Sequence, residues 1–191
     1  MLCISKPERK AIDAFIASQH DLKFTYDEVG GTRGQAPTGY NVDHNRVQLG
    51  RGAEDFERAK NAIRKWKMFE MPQVELCWPE ARIETGTTVA VMVSHGVFWS
   101  LSACRIVYVM EGRGAVEKYG FAYGTLPEHG VAGEERFSVE FHGRDQTVWY
   151  DMYAFSRPNL LARLAYPYTR AVQRRFARGA KEAMRRAVGR L

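Results

Sequence analysis

Cysteine is scarce in this chain, and the residue spacings that mark most metal and redox sites are missing. The 191 residues include three cysteines, Cys3, Cys77 and Cys104, and no Cys-x-x-Cys pair. An odd number of widely spaced cysteines argues against a disulfide scaffold and favours a reducing, cytosolic compartment. The five histidines show no His-x-x-x-His or Cys/His spacing either. We therefore expect no bound metal and no other cofactor.

Long apolar segments and nucleotide motifs are also lacking. The N-terminus, MLCISKPERK, has no apolar core of a secretory signal, so we expect no export. Residues 85–104 carry no formal charge, but Ser94, His95 and Gly96 interrupt them with turn-forming residues. Two strands fit this stretch better than a membrane-spanning helix. The absence of G-x-x-x-x-G-K-[ST], G-x-G-x-x-G and G-x-S-x-G disfavours a nucleotide cradle and a serine-hydrolase elbow.

Positive charge is present in excess, and it is concentrated at one end. Residues 157–191 hold ten Lys and Arg against the single acid Glu182, a net +9, whereas residues 1–156 hold 18 bases against 21 acids, a net −3. The basic tail can be the solvated face of an amphipathic helix, a surface for anionic membrane lipids, or a surface for nucleic acid.

The apolar stripe of this tail, from Leu164 to Val188, is expected to pack fully against a sheet. That disfavours nucleic acid as a partner and leaves peripheral membrane contact as an open alternative. Nothing in the sequence indicates an oligomeric state.

Hydrophobic periodicity predicts a single α+β domain over residues 1–191. Apolar residues at helical spacing predict helices over residues 7–17 and 53–70. After Pro72, β-branched and aromatic runs predict six strands, over residues 73–78, 87–94, 97–110, 117–126, 134–142 and 147–155. The connections are too short for crossover helices, so the sheet is expected to be antiparallel.

The remaining segments are predicted to be a C-terminal helix and two loops. A helix is expected to begin at Pro158, to break at Pro167 and to continue from Tyr168 to Val188. The Gly-rich residues 30–39 are predicted to form a loop. The polar residues that follow, Tyr40, Asp43, His44 and Arg46, are also assigned to a loop, in which Asp43 would clamp Arg46.

Four segments resemble a known family. They are GYNVDHNRVQLGRG (39–52), CRIVYV (104–109), YGFAYGTLPEHGVAGEERF (119–137) and AFSRP (154–158), in that order. They resemble the domain-of-unknown-function family DUF1990, also called UPF0548, and the likeness extends over roughly residues 20–185. That family is placed in the START-like (SRPBCC) superfamily. The resemblance implies a helix-grip fold, in which a curved antiparallel sheet of about six to seven strands surrounds one long C-terminal helix.

The resemblance implies no activity, because the family has no established catalytic or ligand-binding residues to carry over. The wider superfamily includes lipid and hormone binders and polyketide cyclases, so the fold alone does not decide between binding and catalysis.

The inner face of a helix-grip sheet and its long helix can enclose an apolar pocket. Alternation along the strands places aromatic side chains on single faces, where they form either plain core or a ligand wall. The candidate ligand-binding residues are Arg105, Tyr108, Tyr123, Phe137, Tyr150 and Tyr168. Arg105 has two interpretations: an anion-binding group in the pocket, or a structural ion pair with Glu140 or Asp151.

The segment 125–135 holds the candidate catalytic residues, His129 and Glu135, because histidine and carboxylate side chains suit proton transfer near neutral pH. Glu134 and Glu135 are adjacent and must point to opposite sides of a strand, so they cannot form a facing pair. The alternative is that these residues only order the loop.

The sequence therefore predicts a cytosolic protein that binds a small hydrophobic or amphipathic molecule between its sheet and its C-terminal helix. One alternative is an enzyme of polyketide-cyclase-like type that uses acid–base groups of segment 125–135. Another is an interaction protein that acts through its basic C-terminal helix.

Overall fold

Eight strands form one antiparallel sheet in the computed structural model, which describes residues 1–159 and 163–189. The strands are β1 (Leu2–Cys3), β2 (Asn41–Arg51), β3 (Val74–Leu76), β4 (Thr88–Ser94), β5 (Trp99–Gly112), β6 (Val116–Thr125), β7 (Val131–His142) and β8 (Thr147–Pro158). Their order is β2-β8-β7-β6-β5-β4-β3, and β1 pairs with β5. Strands β3 to β8 are each paired with the next strand in the chain, which confirms the antiparallel sheet.

Helices cover both faces of this sheet. They are α1 (Arg9–Gln19), α2 (Gly52–Arg64) and α3 (Tyr166–Val188). We call the face that packs against α2 and α3 the inner face, and the face that packs against α1 the outer face. A curled antiparallel sheet that holds one long C-terminal helix is the helix-grip architecture, so the predicted fold class is confirmed.

The main core lies between the inner face and the two helices α2 and α3. From the sheet it includes Phe121, Phe137 and Tyr150, all fully buried. The second half of α3 contributes small side chains, Ala177 and Ala180, which let the helix approach the sheet closely. No helix in the described part of the chain is both long and apolar enough to cross a membrane.

Strand β2 corrects the prediction of a loop after Tyr40. It pairs with β8 over residues 41–51 at one edge of the sheet. Asn and Asp are rare in strands, so its polar sequence is typical of a loop. Asp43 does not clamp Arg46, because Asp43 lies on the inner face and binds Arg170 of α3, whereas Arg46 binds Glu140 on the outer face.

Helix α2 ends at Arg64 rather than at residue 70. Trp66 takes a left-handed conformation with φ of 55°, and a short 3-10 turn, Lys67–Phe69, follows. The Trp66 indole is buried and donates a hydrogen bond from Nε1 to the carbonyl oxygen of Ala81, 2.8 Å away. The apolar periodicity continues through this break because Trp66 and Phe69 both still face the core, so the hydrophobic pattern does not show where the helix ends.

The start of the C-terminal helix also differs from the prediction. Strand β8 continues to Pro158, and part of the helix expected after it falls on residues 160–162, which lie outside the described residues. Helix α3 begins at Tyr166 with Pro167 in its first turn, where a missing N–H removes no helical hydrogen bond. Its apolar stripe is not fully packed, since Leu164 is 82% exposed.

A buried carboxylate, Glu134, anchors residues 24–32 to the outer face. Its Oε2 accepts hydrogen bonds from the Tyr26 hydroxyl at 2.8 Å and the Gly30 N–H at 2.7 Å. Its Oε1 accepts from the Thr32 N–H at 3.0 Å and from the Thr32 hydroxyl. A Cβ at Gly124 would collide with the Tyr26 hydroxyl, so glycine is required on β6 beneath this segment.

We expect Glu134→Gln to lower the free energy of unfolding by about 1.5–3 kcal/mol, because an amide nitrogen would replace one of two oxygens that accept four hydrogen bonds. Urea denaturation measures the change. Glu111→Gln, at an exposed position on β5, is the control and should leave the stability unchanged. Equal stability of Glu134→Gln and wild type would contradict this account of the anchor.

Candidate ligand-binding site

A cavity of about 470 Å³ lies between the inner face of the sheet and the first half of α3. Its walls come from seven strands, the turns beside them and the helix. The apolar part of the wall includes Val91, Val93, Phe98, Met152, Ala154, Val172 and Phe176. The polar part includes Asp43, Asn45, Ser100, Ser102, Tyr123, His129, Glu135, Tyr168 and Gln173.

The cavity exists because the inner face carries large side chains at one end and small ones at the other. Beneath α2, Phe121 and Phe137 fill the space between sheet and helix. Farther along the sheet, Ser102 of β5, Gly133 of β7 and Ala154 of β8 stand at the inner face, and too little side-chain volume remains to reach α3. Local side-chain size therefore decides where the core ends and the cavity begins.

Glu135 lies on the inner face of β7, and its carboxylate lines the cavity. Its Oε2 accepts a hydrogen bond from the Tyr123 hydroxyl of β6 at 3.1 Å, as the register that pairs these two residues requires. Desolvation by burial raises the pKa of Glu135 from 4.5 to about 7. The Tyr123 hydrogen bond opposes this rise and the nearby charge of Asp43 adds to it. Near neutral pH this carboxyl group therefore exchanges its proton.

Asp43 and Arg170 form the adjacent part of the wall. The two Arg170 guanidinium nitrogens Nη1 and Nη2 each donate to one Asp43 carboxylate oxygen at 2.6 Å. This bidentate pair joins the edge strand β2 to α3. This ion pair holds α3 over the cavity, and Arg170 neutralises the negative charge of Asp43.

His129 lies in the turn between β6 and β7, at the rim of the cavity. Burial, with a smaller effect from the Met1 amino group, lowers the pKa of His129 to about 4. Its Nδ1 accepts a hydrogen bond from the Val131 N–H at 3.2 Å, so the neutral ring carries its proton on Nε2. At neutral pH His129 is uncharged, and it also orders the turn in which it lies.

Tyr168 and His95 meet across the mouth of the cavity. The Tyr168 hydroxyl lies 2.6 Å from Nδ1 of His95, which joins α3 to the turn between β4 and β5. Next to these residues in the chain, Leu164 and Val97 are strongly exposed. The exposure of Leu164 is contrary to the prediction of a fully packed stripe, and peripheral membrane contact stays a prediction.

Four of the eight predicted site residues line the cavity: Tyr123, His129, Glu135 and Tyr168. Phe137 and Tyr150 also lie on the inner face, but both are fully buried in the core beneath α2 and α3 and do not belong to the cavity wall.

Arg105 and Tyr108 are predicted to line the pocket, but the structure places both residues on the outer face of the sheet. A β-bulge between Ile106 and Tyr108 breaks the alternation of β5. Ile106 pairs with Tyr123 on the inner face, and Tyr108 pairs with Ala122 on the outer face. The extra residue cannot be seen in the sequence pattern, which places every second residue of the strand on one face.

Neither interpretation of Arg105 describes its contacts. Its guanidinium group donates to the carbonyl oxygens of Gln19, His20 and Leu22, after the last turn of α1. A cation at this position complements the negative end of the helix dipole. Tyr108 likewise serves the outer face, where its hydroxyl lies 2.8 Å from that of Thr32.

Asp43, Asn45 and Gln173 are wall residues that the sequence did not indicate. Asp43 and Asn45 belong to the edge strand that was assigned to a loop, and Gln173 lies beside the apolar stripe of α3. A signal for β2 was present only in its last part, where Val47 and Leu49 alternate with polar residues.

Metal binding and thiol chemistry have no support at this site. Among the described residues, no group of three or more His, Cys, Asp or Glu side chains is placed to hold a metal ion. Burial raises the pKa of the Cys104 thiol well above its usual range, so this side chain stays protonated.

We expect Glu135→Gln to change how stability depends on pH. The raised pKa means that the folded protein keeps a proton that the unfolded chain has lost between about pH 4.5 and 7. The contribution of Glu135 to stability therefore falls as the pH rises through this range and is constant above it. Urea denaturation at pH 5 and pH 8 should show Glu135→Gln gaining stability relative to wild type at the higher pH.

The Glu111→Gln protein is the control for this experiment, since it makes the same change at an exposed position of β5. A difference between wild type and Glu135→Gln that is the same at pH 5 and pH 8 would refute the raised pKa.

Comparisons with known proteins agree with the sequence motifs. A UPF0548 protein from Dictyostelium discoideum is 34% identical over 210 residues, which cover 99% of this chain and 96% of that protein. A UPF0548 protein from Deinococcus radiodurans is 36% identical over 205 residues, which cover 99% and 100%. A solved structure of a hypothetical protein from Helicobacter pylori matches at 9% identity with a TM-score of 0.55, over 87% of this chain and 96% of that one, and supports the fold alone. The family model "Domain of unknown function (DUF1990)" matches residues 25–183, and the chain belongs to this family.

Proposed function

We propose that this protein binds a small, largely apolar molecule in the cavity between the sheet and α3. The observation that carries the proposal is the cavity itself, whose volume of about 470 Å³ lies in the range of small-molecule sites. Its wall is mainly apolar, with a few polar groups gathered near Tyr123 and Glu135. Burial of an apolar ligand against such a wall makes the free energy of binding favourable, and a small number of hydrogen bonds orients the ligand.

The anchoring of α3 supports this role. The second half of the helix is fixed by Ala180, Met184 and Val188, which are buried in the core. The first half is held over the cavity by the Asp43–Arg170 ion pair and the Tyr168–His95 contact. The second half of α3 is therefore fixed in the core, and the first half, over the cavity, is held by polar contacts. A ligand can enter beneath the first half without disturbing the core.

A second candidate function is acid–base catalysis on the bound molecule. One observation favours it: the pKa of Glu135, about 7, is suited to proton transfer at neutral pH. Mass spectrometry distinguishes the two functions. A molecule that is released from the purified protein unchanged supports binding, and one that is converted by wild type but not by Glu135→Gln supports catalysis.

We expect Ala154→Phe to abolish binding of the neutral, polarity-sensitive dye prodan. Ala154 faces the cavity between Asp43 and Glu135, and a phenyl ring there occupies the space in which an apolar body would lie. The blue shift of prodan emission on binding measures the effect, with an expected loss of affinity of at least tenfold.

Ala171→Phe is the matched control, because Ala171 is exposed on the outer side of α3 and the same substitution there leaves the cavity open. Thermal unfolding should show that both variants are folded. Equal prodan affinity for wild type and a folded Ala154→Phe protein would overturn the proposed function.

A further inference from the structure

We propose that the cavity selects ligands that carry a protonated amine on an apolar body, with the Glu135 carboxylate as the partner of the amine. This inference rests on the proposed function and adds the chemical class of the ligand. Its basis is a difference between Glu135, which is partly buried at the cavity, and the fully buried acids of the sheet.

The three buried carboxylates of the described residues are all compensated by donors or cations. Asp151 lies 2.9 Å from the Arg136 guanidinium and 2.6 Å from the His44 ring. Glu140 lies 2.7 Å from Lys118 and also pairs with Arg46. Glu134 accepts the four hydrogen bonds of the outer-face anchor. A buried charge without such partners is costly, so this compensation is what a folded protein requires.

Glu135 lacks this compensation. Its recorded partner is a single neutral group, the Tyr123 hydroxyl at 3.1 Å, and within the described residues no cation lies within 4 Å of it. A carboxylate offers about four acceptor sites on its two oxygens. Oε1 has no hydrogen-bond partner in the described part of the chain, and the residue lines the cavity. We therefore expect a ligand in the cavity to supply the hydrogen-bond partner that Oε1 lacks.

The nearby groups do not supply a positive charge. On the helix side, both terminal nitrogens of Arg170 are bound to Asp43. The Met1 amino group at the wall is paired with Glu128. The rings of His129 and His95 have lowered pKa values and are neutral at pH 7. Arg174 reaches the wall as well, but its side chain is exposed at the mouth. When Glu135 is ionised, the inner part of the cavity therefore carries a net negative charge.

A second polar group beside Glu135 also lacks a partner. The Tyr150 hydroxyl is fully buried and has no hydrogen bond to any described residue. The charge of Glu135 helps to raise the pKa of Tyr150, which places the two groups in each other's electrostatic range. An ammonium group has three donors. Glu135 Oε1 and the hydroxyl oxygen of Tyr123, both from residues that line the cavity, provide acceptors for them.

Four elements face Glu135 with titratable groups, and these determine how amine binding depends on pH. Tyr123 of β6, Tyr150 of β8 and Cys104 of β5 are buried, their pKa values are raised, and they stay neutral through pH 9. Asp43 of β2 stays paired with Arg170 of α3. Glu135 is thus the group in this set that changes charge between pH 6 and pH 8, and amine affinity rises as it ionises.

Three naphthalene compounds that differ in one group test the inference. They are 1-naphthylmethylamine, 1-naphthylmethanol and 1-naphthylacetate, which are cationic, neutral and anionic at pH 8. Displacement of prodan from wild type at pH 8 should give at least tenfold tighter binding of the amine than of the alcohol, and the weakest binding for the acetate. Affinity for the amine, and not for the alcohol, should fall about tenfold from pH 8 to pH 6, which is the loss expected as a group of pKa about 7 takes up a proton.

Glu135→Gln should remove the preference for the amine, so that the amine and the alcohol bind this variant with affinities within twofold of each other. Glu111→Gln removes one negative charge from an exposed position of β5 and should keep the preference. An amine that binds no tighter than the alcohol to wild type, or a preference that survives Glu135→Gln, overturns this inference. If the alcohol still binds wild type and not Ala154→Phe, the proposed function stands without it, whereas equal binding to both proteins removes the proposed function itself.

Discussion

The alternation of side chains across one antiparallel sheet is the constraint on which the rest of this structure depends. Every strand must serve two faces, and each face has its own cover: α2 and α3 on the inner side, α1 and residues 24–32 on the outer side. Glu134 and Glu135 show the result within two residues. One carboxylate is buried among four donors and holds a segment in place, and its neighbour looks into a cavity with one neutral partner.

The same constraint explains how much of the fold the sequence reveals. Strands with apolar residues on a covered face, such as β7, have a period-2 pattern that can be recognised directly. Helix α2 is equally clear, with Phe56, Ala59 and Ile63 on one side. Strand β2 is not, because its outer residues form ion pairs and its inner residues line the polar part of the cavity, so hydrophobicity does not mark its period.

The site was only partly accessible to sequence reasoning, for physical reasons that differ from residue to residue. Glu135 and His129 could be singled out by their chemistry, since few other groups of the central segment can carry a proton. For the aromatic residues, Tyr123 and Phe137 share a face and differ only in what lies above them, which depends on where α3 crosses the sheet. No local pattern contains that information.

The bulge in β5 has a consequence for comparing relatives of this chain. Because one inserted residue puts Arg105 and Tyr108 on the same face, a relative that lacks this residue and the bulge would keep both halves of the strand on the same faces. An alignment of such a relative without a gap at residue 107 would then equate inner-face residues with outer-face residues along one half of the strand. Equivalent positions in β5 are therefore defined by their pairing with β6, and counting along the chain assigns them to the wrong side of the protein.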